Sequence, residues 1–127
     1  MALTSELMAM GVPARQARAL GADNSLAVTA AGSTSAANST LLTTGNNLVT
    51  TSGASTNSVM LPSAERGAVV NIQVASGQTT VNIYPQSTDT IIDEGAQGAA
   101  GAAVTLAASK AAHFTAAGTV WWMVRGA

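Results

Sequence analysis

The clearest pattern along the chain lies in its second half, where apolar and polar residues alternate. Val70, Ile72 and Val74 alternate with Asn71, Gln73 and Ala75, and Val81 and Ile83 repeat the alternation with Asn82 and Tyr84 on the other face. Successive side chains of a strand point to opposite faces, so a period of two marks a strand with one buried side. Gly77-Gln78 reads as a turn between these two runs and Pro85 as the stop of the second, which predicts an antiparallel hairpin. Asn57-Ser58-Val59-Met60-Leu61-Pro62 leads into a turn at Ser63-Ala64-Glu65-Arg66-Gly67, and further short runs predict strands at Thr90-Ile91-Ile92, Ala103-Val104-Thr105-Leu106, Ala112-His113-Phe114-Thr115 and Val120-Trp121-Trp122-Met123-Val124. Short strands separated by turn residues at intervals of roughly ten predict an all-β fold, a small antiparallel β-sandwich or barrel. The Gly95 to Gly101 stretch, all glycine, alanine and one glutamine, reads as an exposed loop crossing between sheets.

The first half is less patterned. From Ala22 to Ser58 the chain is mostly Ala, Ser, Thr, Asn and Gly, with apolar islands at Leu26-Ala27-Val28, Leu41-Leu42 and Leu48-Val49. Threonine flanks and the punctuation at Gly32, Gly45-Asn46-Asn47 and Gly53 favour short strands joined by turns, the alternative being a disordered linker. Before it, Thr4 or Ser5 can cap a short helix that Gly11 stops, and Pro13 suits the first position of a second one ending at Gly21. Leu3, Leu7, Met8, Val12 and Leu20 are too few for a free-standing bundle, so residues 1–22 are expected to form a helical docking arm. Residues 23–127 are expected to form the β domain.

Composition makes the core thinner than the pattern suggests. Hydrophobic residues make up 47% of the 127, but 27 of them are alanine, and Leu, Ile, Val and Phe together number only 25. Disorder normally combines such a composition with high net charge, whereas here 9% of residues are charged and the formal net charge is −1. A weakly charged chain with a thin core gains apolar area by packing against copies of itself, so a homo-oligomer is expected. Without cysteine there is no disulfide or thiolate metal site. The opening residues lack a basic n-region and an apolar h-region, so synthesis in a cytoplasm without a secretory signal is expected. No run approaches the ~20 apolar residues of a spanning helix, and five basic against six acidic residues leave no footprint for nucleic acid. Neither a membrane nor a nucleic acid is therefore an expected partner.

Candidate chemistry is sparse. His113 is the only histidine, no serine sits in a glycine-flanked elbow, and alternation puts His113 opposite Phe114 on an exposed or intersubunit face. No catalytic residue, cofactor, metal or small-molecule substrate is expected. Asp89, Asp93 and Glu94 read as a solvated turn, with a hard cation on an oligomer axis as the alternative. Gly95, Gly98 and Gly101 lack the lysine and the strand and helix that a phosphate loop requires, and read as turn glycines. Trp121-Trp122 is the most informative pair, because only one of two adjacent strand residues can enter a given core. Tyr84, Phe114, Trp121 and Trp122 are accordingly assigned to the core or an oligomer interface, with a sugar-stacking platform as the alternative for one tryptophan. Arg15 and Arg18, three apart on the second short helix, face either solvent or acidic groups of a partner.

The opening Met1-Ala2-Leu3-Thr4-Ser5-Glu6-Leu7-Met8-Ala9-Met10-Gly11-Val12-Pro13, with its continuation from Ala17 to Gly21, resembles the amino terminus of small bacteriophage head decoration, cement or head-fibre proteins. Val59-Met60-Leu61-Pro62, Gly67, Val70-Asn71-Ile72, Val81-Asn82-Ile83-Tyr84-Pro85, Asp89-Thr90-Ile91, Phe114 and Trp121-Trp122 are similar to β-domains of phage head and tail accessory proteins. The resemblance covers about two thirds of the chain, omitting Ala22 to Ser58, and rests on patterns of turn and core residues. It implies a subunit of the outer capsid surface, often trimeric, that binds the major capsid protein and reinforces the shell. The arm positions Leu3, Leu7, Met8, Met10, Val12, Pro13, Arg15, Arg18 and Leu20 are the expected capsid contacts. A tail or fibre component presenting loops to a host receptor is the alternative, and a carbohydrate-binding module a further one.

Overall fold

Alternating burial along short strands builds two sheets around one apolar core. The computed structural model describes residues 23–32 and 36–126; the expected helical arm, with Leu3, Leu7, Met8, Met10, Val12, Pro13, Arg15, Arg18 and Leu20, lies outside them. The strands are β1 (Asp23–Thr29), β2 (Thr40–Leu41), β3 (Gly45–Thr51), β4 (Ser58–Met60), β5 (Val69–Val74), β6 (Val81–Tyr84), β7 (Thr90–Asp93), β8 (Ala96–Gln97), β9 (Val104–Leu106), β10 (Ala111–Ala117) and β11 (Val120–Arg125). They hold about half of the described residues, and the one helical piece among those residues is the 3-10 turn Ala36–Asn38. The fold is all-β. A seven-stranded sheet runs β1-β3-β5-β10-β11-β7-β8 and a four-stranded sheet runs β2-β4-β6-β9.

The sheets are mixed, where the sequence predicts antiparallel ones. From β1 to β6 the chain alternates between the sheets, so β1, β3 and β5 lie parallel in the large sheet, with Asp23 opposite Gly45 and Gly45 opposite Val70. The small sheet repeats this with β2, β4 and β6. The chain thus winds as a flattened coil, and only later do β9 and β10 close the two sheets in the antiparallel sense against β6 and β5.

This winding overturns the hairpin predicted from Val70–Val74 and Val81–Tyr84. Both edges of β5 are occupied, by parallel β3 and antiparallel β10, while β6 pairs with β4 and β9 in the other sheet. Each strand buries its Val and Ile side against the shared core, and alternation within a strand is the same whether its successor turns back beside it or crosses to the facing sheet. Gln78 accordingly serves as a strut between windings: its Oε1 accepts from the Ser52 amide at 2.8 Å. The expectation for Gly95 to Gly101 holds for the crossing, which runs from β8 in the large sheet to β9 in the small one. It begins, however, with a short hairpin that pairs Ile92 with Gln97 and Asp93 with Ala96.

The core draws Val28, Val49, Val70, Ile72, Val74, Ile91, Phe114 and Trp121 from the large sheet, and Val59, Leu61, Val81, Ile83 and Leu106 from strands of the small sheet and the residue after β4. Phe114 and Trp121 meet edge to face with ring centroids 6.5 Å apart, a favoured aromatic geometry. Small residues fill the flanks, Ala30, Ala112 and Ala116 all being buried. Among the described residues, no helix is long and apolar enough to cross a membrane.

Candidate interaction face

The outer side of the large sheet is set by the same alternation that buries its inner side. Register places Val69, Thr115, Trp122 and Ile92 in one row across β5, β10, β11 and β7, and Gln97 of β8 ends it. The next row holds Asn46, Asn71, His113 and Val124, across β3, β5, β10 and β11. Trp122 is 52% exposed, Val124 64% and Val69 37%, so three large apolar side chains stand in water on β11 and β5, the strands flanking β10. A strand that alternates between core and solvent carries mostly polar residues on its wet side, and this cluster departs from that pattern. Leu48, Thr50, Gln73, Ala111, Ala117, Val120 and Thr90 complete the face. No Asp, Glu, Lys or Arg stands among these positions.

The polar row is internally bonded. Asn71 Nδ2 donates to Asn46 Oδ1 at 2.9 Å, which leaves Asn71 Oδ1 as an acceptor, and His113 Nδ1 lies in close contact with it. An acceptor there calls for a proton on Nδ1 of the ring. An open groove of about 410 Å³ follows this row, lined by Asn46, Asn71, Gln73, His113 and Val124, and reaching Arg125 at its end.

Asp89 and Asp93 are structural, which corrects the solvated turn expected for them, while Glu94 stands exposed in a turn as expected. Asp89 is 4% exposed and its Oδ2 accepts the Ala64 amide at 2.9 Å, tying the loop before β5 to the start of β7. Asp93 receives Arg125 Nε at 2.9 Å and Nη2 at 2.7 Å, and Arg125 Nη1 donates to the Thr105 carbonyl at 2.7 Å. That bidentate pair therefore links β7 and β11 of the large sheet to β9 of the small one. The hydrogen bond that Arg125 donates to Asp93, helped by the charges of Asp93 and Glu94, raises the Arg125 pKa above its ordinary value against an opposing desolvation. Glu94 alone of the three is fully on the surface, and among the described residues no three His, Cys, Asp or Glu side chains gather to hold a metal ion.

Of the residues singled out in the sequence, Phe114 and Trp121 lie wholly in the core, Trp122 lies on the outer face and Tyr84 is half-buried at the end of β6. His113 is exposed and shares its face with Trp122, as alternation predicts. Asn47 was missed: it reads as turn punctuation, yet it points inward from β3, 3% exposed. Its Nδ2 donates to the carbonyls of Thr43, Gly45 and Asn71, while its Oδ1 accepts from the Thr43 amide and hydroxyl. No family model, curated protein or solved structure matches the chain.

Proposed function

We propose that this chain is a structural subunit of a bacteriophage particle, a capsid decoration protein. In this reading residues 1–22 attach it to the major capsid protein, and the β domain works as a homotrimer on the outer surface of the head. The observation that carries the reading is a surplus of apolar positions beyond the core. The buried apolar set of the described domain runs from Val28 to Met123, and the sequence before Asp23 supplies a second set in Leu3, Leu7, Met8, Met10, Val12 and Leu20. A segment this short is marginal as an isolated helix, and burying three or four such side chains on a shell contributes about 5 to 10 kcal/mol before ordering costs. Three arms on one oligomer add effective concentration to weak single contacts.

Deletion of residues 1–22 tests this. The truncated protein is expected to keep its β circular dichroism and its oligomeric state while failing to co-sediment with heads that lack the subunit. Undiminished co-sedimentation would move the contact to the β domain. The parallel winding of β1 to β6 favours a second reading, a fibre or tail component, because a coil of alternating strands extends along an axis by repetition. Labelling of tails instead of heads in electron micrographs would select it.

A further inference from the structure

The outer face of the large sheet presents Trp122, Val124, Val69 and Ile92 around Thr115, beside the Asn46–Asn71–His113 row; its outward strand positions carry no charged side chain, and Arg125 at the end of the groove is paired with Asp93. We infer that this face is the contact between copies of this chain, with Trp122 near its centre. The inference rests on the self-association in the function proposed above and adds the surface that performs it.

Three features select a second copy as the occupant. The first is charge. Where the copies of a ring turn the same face toward a common axis, like charges on it converge and repel, whereas a face without Asp, Glu, Lys or Arg has nothing to repel. Other charges of the domain lie off this face: Glu65 and Arg66 in the loop before β5, Asp89 buried just before β7, Glu94 in the β7–β8 turn, Lys110 before β10, and Asp93 and Arg125 paired with each other. A nucleic acid or an anionic surface would call for the opposite arrangement.

The second feature is area. The face spans five strands, β3, β5, β10, β11 and β7, spaced about 4.8 Å apart, and up to about seven residues at roughly 3.3 Å each. Its flat footprint is therefore on the order of 500 Å², before the relief of Trp122 and Val124 is counted. A standard stable interface takes about 800 Å² from each partner, so the flat face supplies more than half of one, with the relief of its side chains adding to it.

The third is composition. Interface centres are enriched in tryptophan and depleted in charge, with polar groups toward the rim. Here the apolar row lies in the β5–β7 half of the face and the amide and imidazole row runs toward β3. That row supplies amide and imidazole groups able to hydrogen-bond across a contact.

The experiment uses the full chain and four proteins: wild type, Trp122→Ser combined with Val124→Lys, Thr115→Arg, and Leu41→Lys. Leu41 is 62% exposed on β2 of the small sheet and serves as the control. Light scattering after size exclusion, with sedimentation velocity, gives the oligomeric state, and circular dichroism with urea unfolding establishes that each protein is folded. Thr115→Arg keeps the inference testable if the double variant fails to fold, because it adds one charge at a half-buried position in the middle of the apolar row. The expected result is an oligomeric wild type and an oligomeric Leu41→Lys, with the two face variants folded and monomeric, their dissociation constants raised about a hundredfold or more. An oligomeric wild type whose face variants associate equally well overturns this assignment of the face and leaves the proposed function standing. A monomeric wild type at micromolar concentration overturns both.

Discussion

Two adjacent tryptophans meet opposite fates because strand geometry sends neighbours to opposite sides. Trp121 is fully buried against Phe114 and Trp122 is half exposed. That split was legible from the dipeptide alone, since one core cannot take both. What the sequence could not show is the state of the Trp121 indole nitrogen, which is buried without a hydrogen-bond partner in the protein. An unmet buried donor costs about 1 to 3 kcal/mol, and this sets up a comparison. Trp121→Ala removes the whole ring and is expected to cost about 3 to 5 kcal/mol. Trp121→Phe gives up volume but also removes the orphan donor, and is expected to cost less than about 2 kcal/mol. Urea unfolding followed by circular dichroism measures both, and equal losses would mean that the indole N–H finds a partner in solution. Asn47 shows the converse limit on reading residues: a Gly45-Asn46-Asn47 run has the composition of a turn, and only the pairing of β3 between β1 and β5 turns Asn47 inward.

At the scale of elements, strands were easier to foresee than their partners. The runs at β5, β6, β10 and β11 match the alternation, whereas the short, Thr- and Asn-rich strands before Met60 carry too few apolar residues to fix a register from sequence. The β7–β8 turn was read as loop because its hairpin signal is incomplete. Asp93 pairs with Ala96 across Glu94 and Gly95, both at positive φ, 52° and 83°, the type I′ geometry that favours Asn-Gly. A glutamate at φ above zero is strained, so Glu94→Asn is expected to raise stability by about 0.5 to 1 kcal/mol, read as a higher urea midpoint at unchanged slope. The clamp beside this turn has a defined pH behaviour. The Arg125 pKa is raised in the folded protein, so its contribution is fully present below the unfolded value and is lost only as pH rises through the still higher folded one. The stability lost in Arg125→Met, about 1 kcal/mol for a partly exposed bidentate pair, is therefore expected to stay constant from about pH 7 to about pH 10. A difference that shrinks across that range, measured by urea unfolding of both proteins, would falsify the assignment of the clamp to the charged arginine.

For the whole molecule, the consequence of winding between two sheets is that few contacts are local. β1 pairs with β3, β3 with β5, β5 with β10 and β7 with β11, each across at least one intervening strand, and the hairpins among the described strands are β7–β8 and β10–β11. Loop-closure entropy must be met before distant strands reward it, and β-rich folds dominated by non-local pairing fold in milliseconds to seconds. Stopped-flow refolding of the full chain, followed by tryptophan fluorescence, is expected to show a main phase in that range. Repeating it at several protein concentrations separates chain folding, which is independent of concentration, from assembly. The β10–β11 hairpin is the best starting point for the sheet, because it joins Phe114 and Trp121 locally and offers β10 to β5. Its two-residue loop has Gly118 at φ +74° with no atom within 4 Å of an added Cβ, so Gly118→Ala acts through backbone strain alone. If the hairpin forms early, that strain is already present in the transition state, and the substitution slows folding by about three- to fivefold for a loss of about 1 kcal/mol while leaving unfolding nearly unchanged. A substitution that speeds unfolding and spares the folding rate would place hairpin closure after the long-range pairing of β3 and β5.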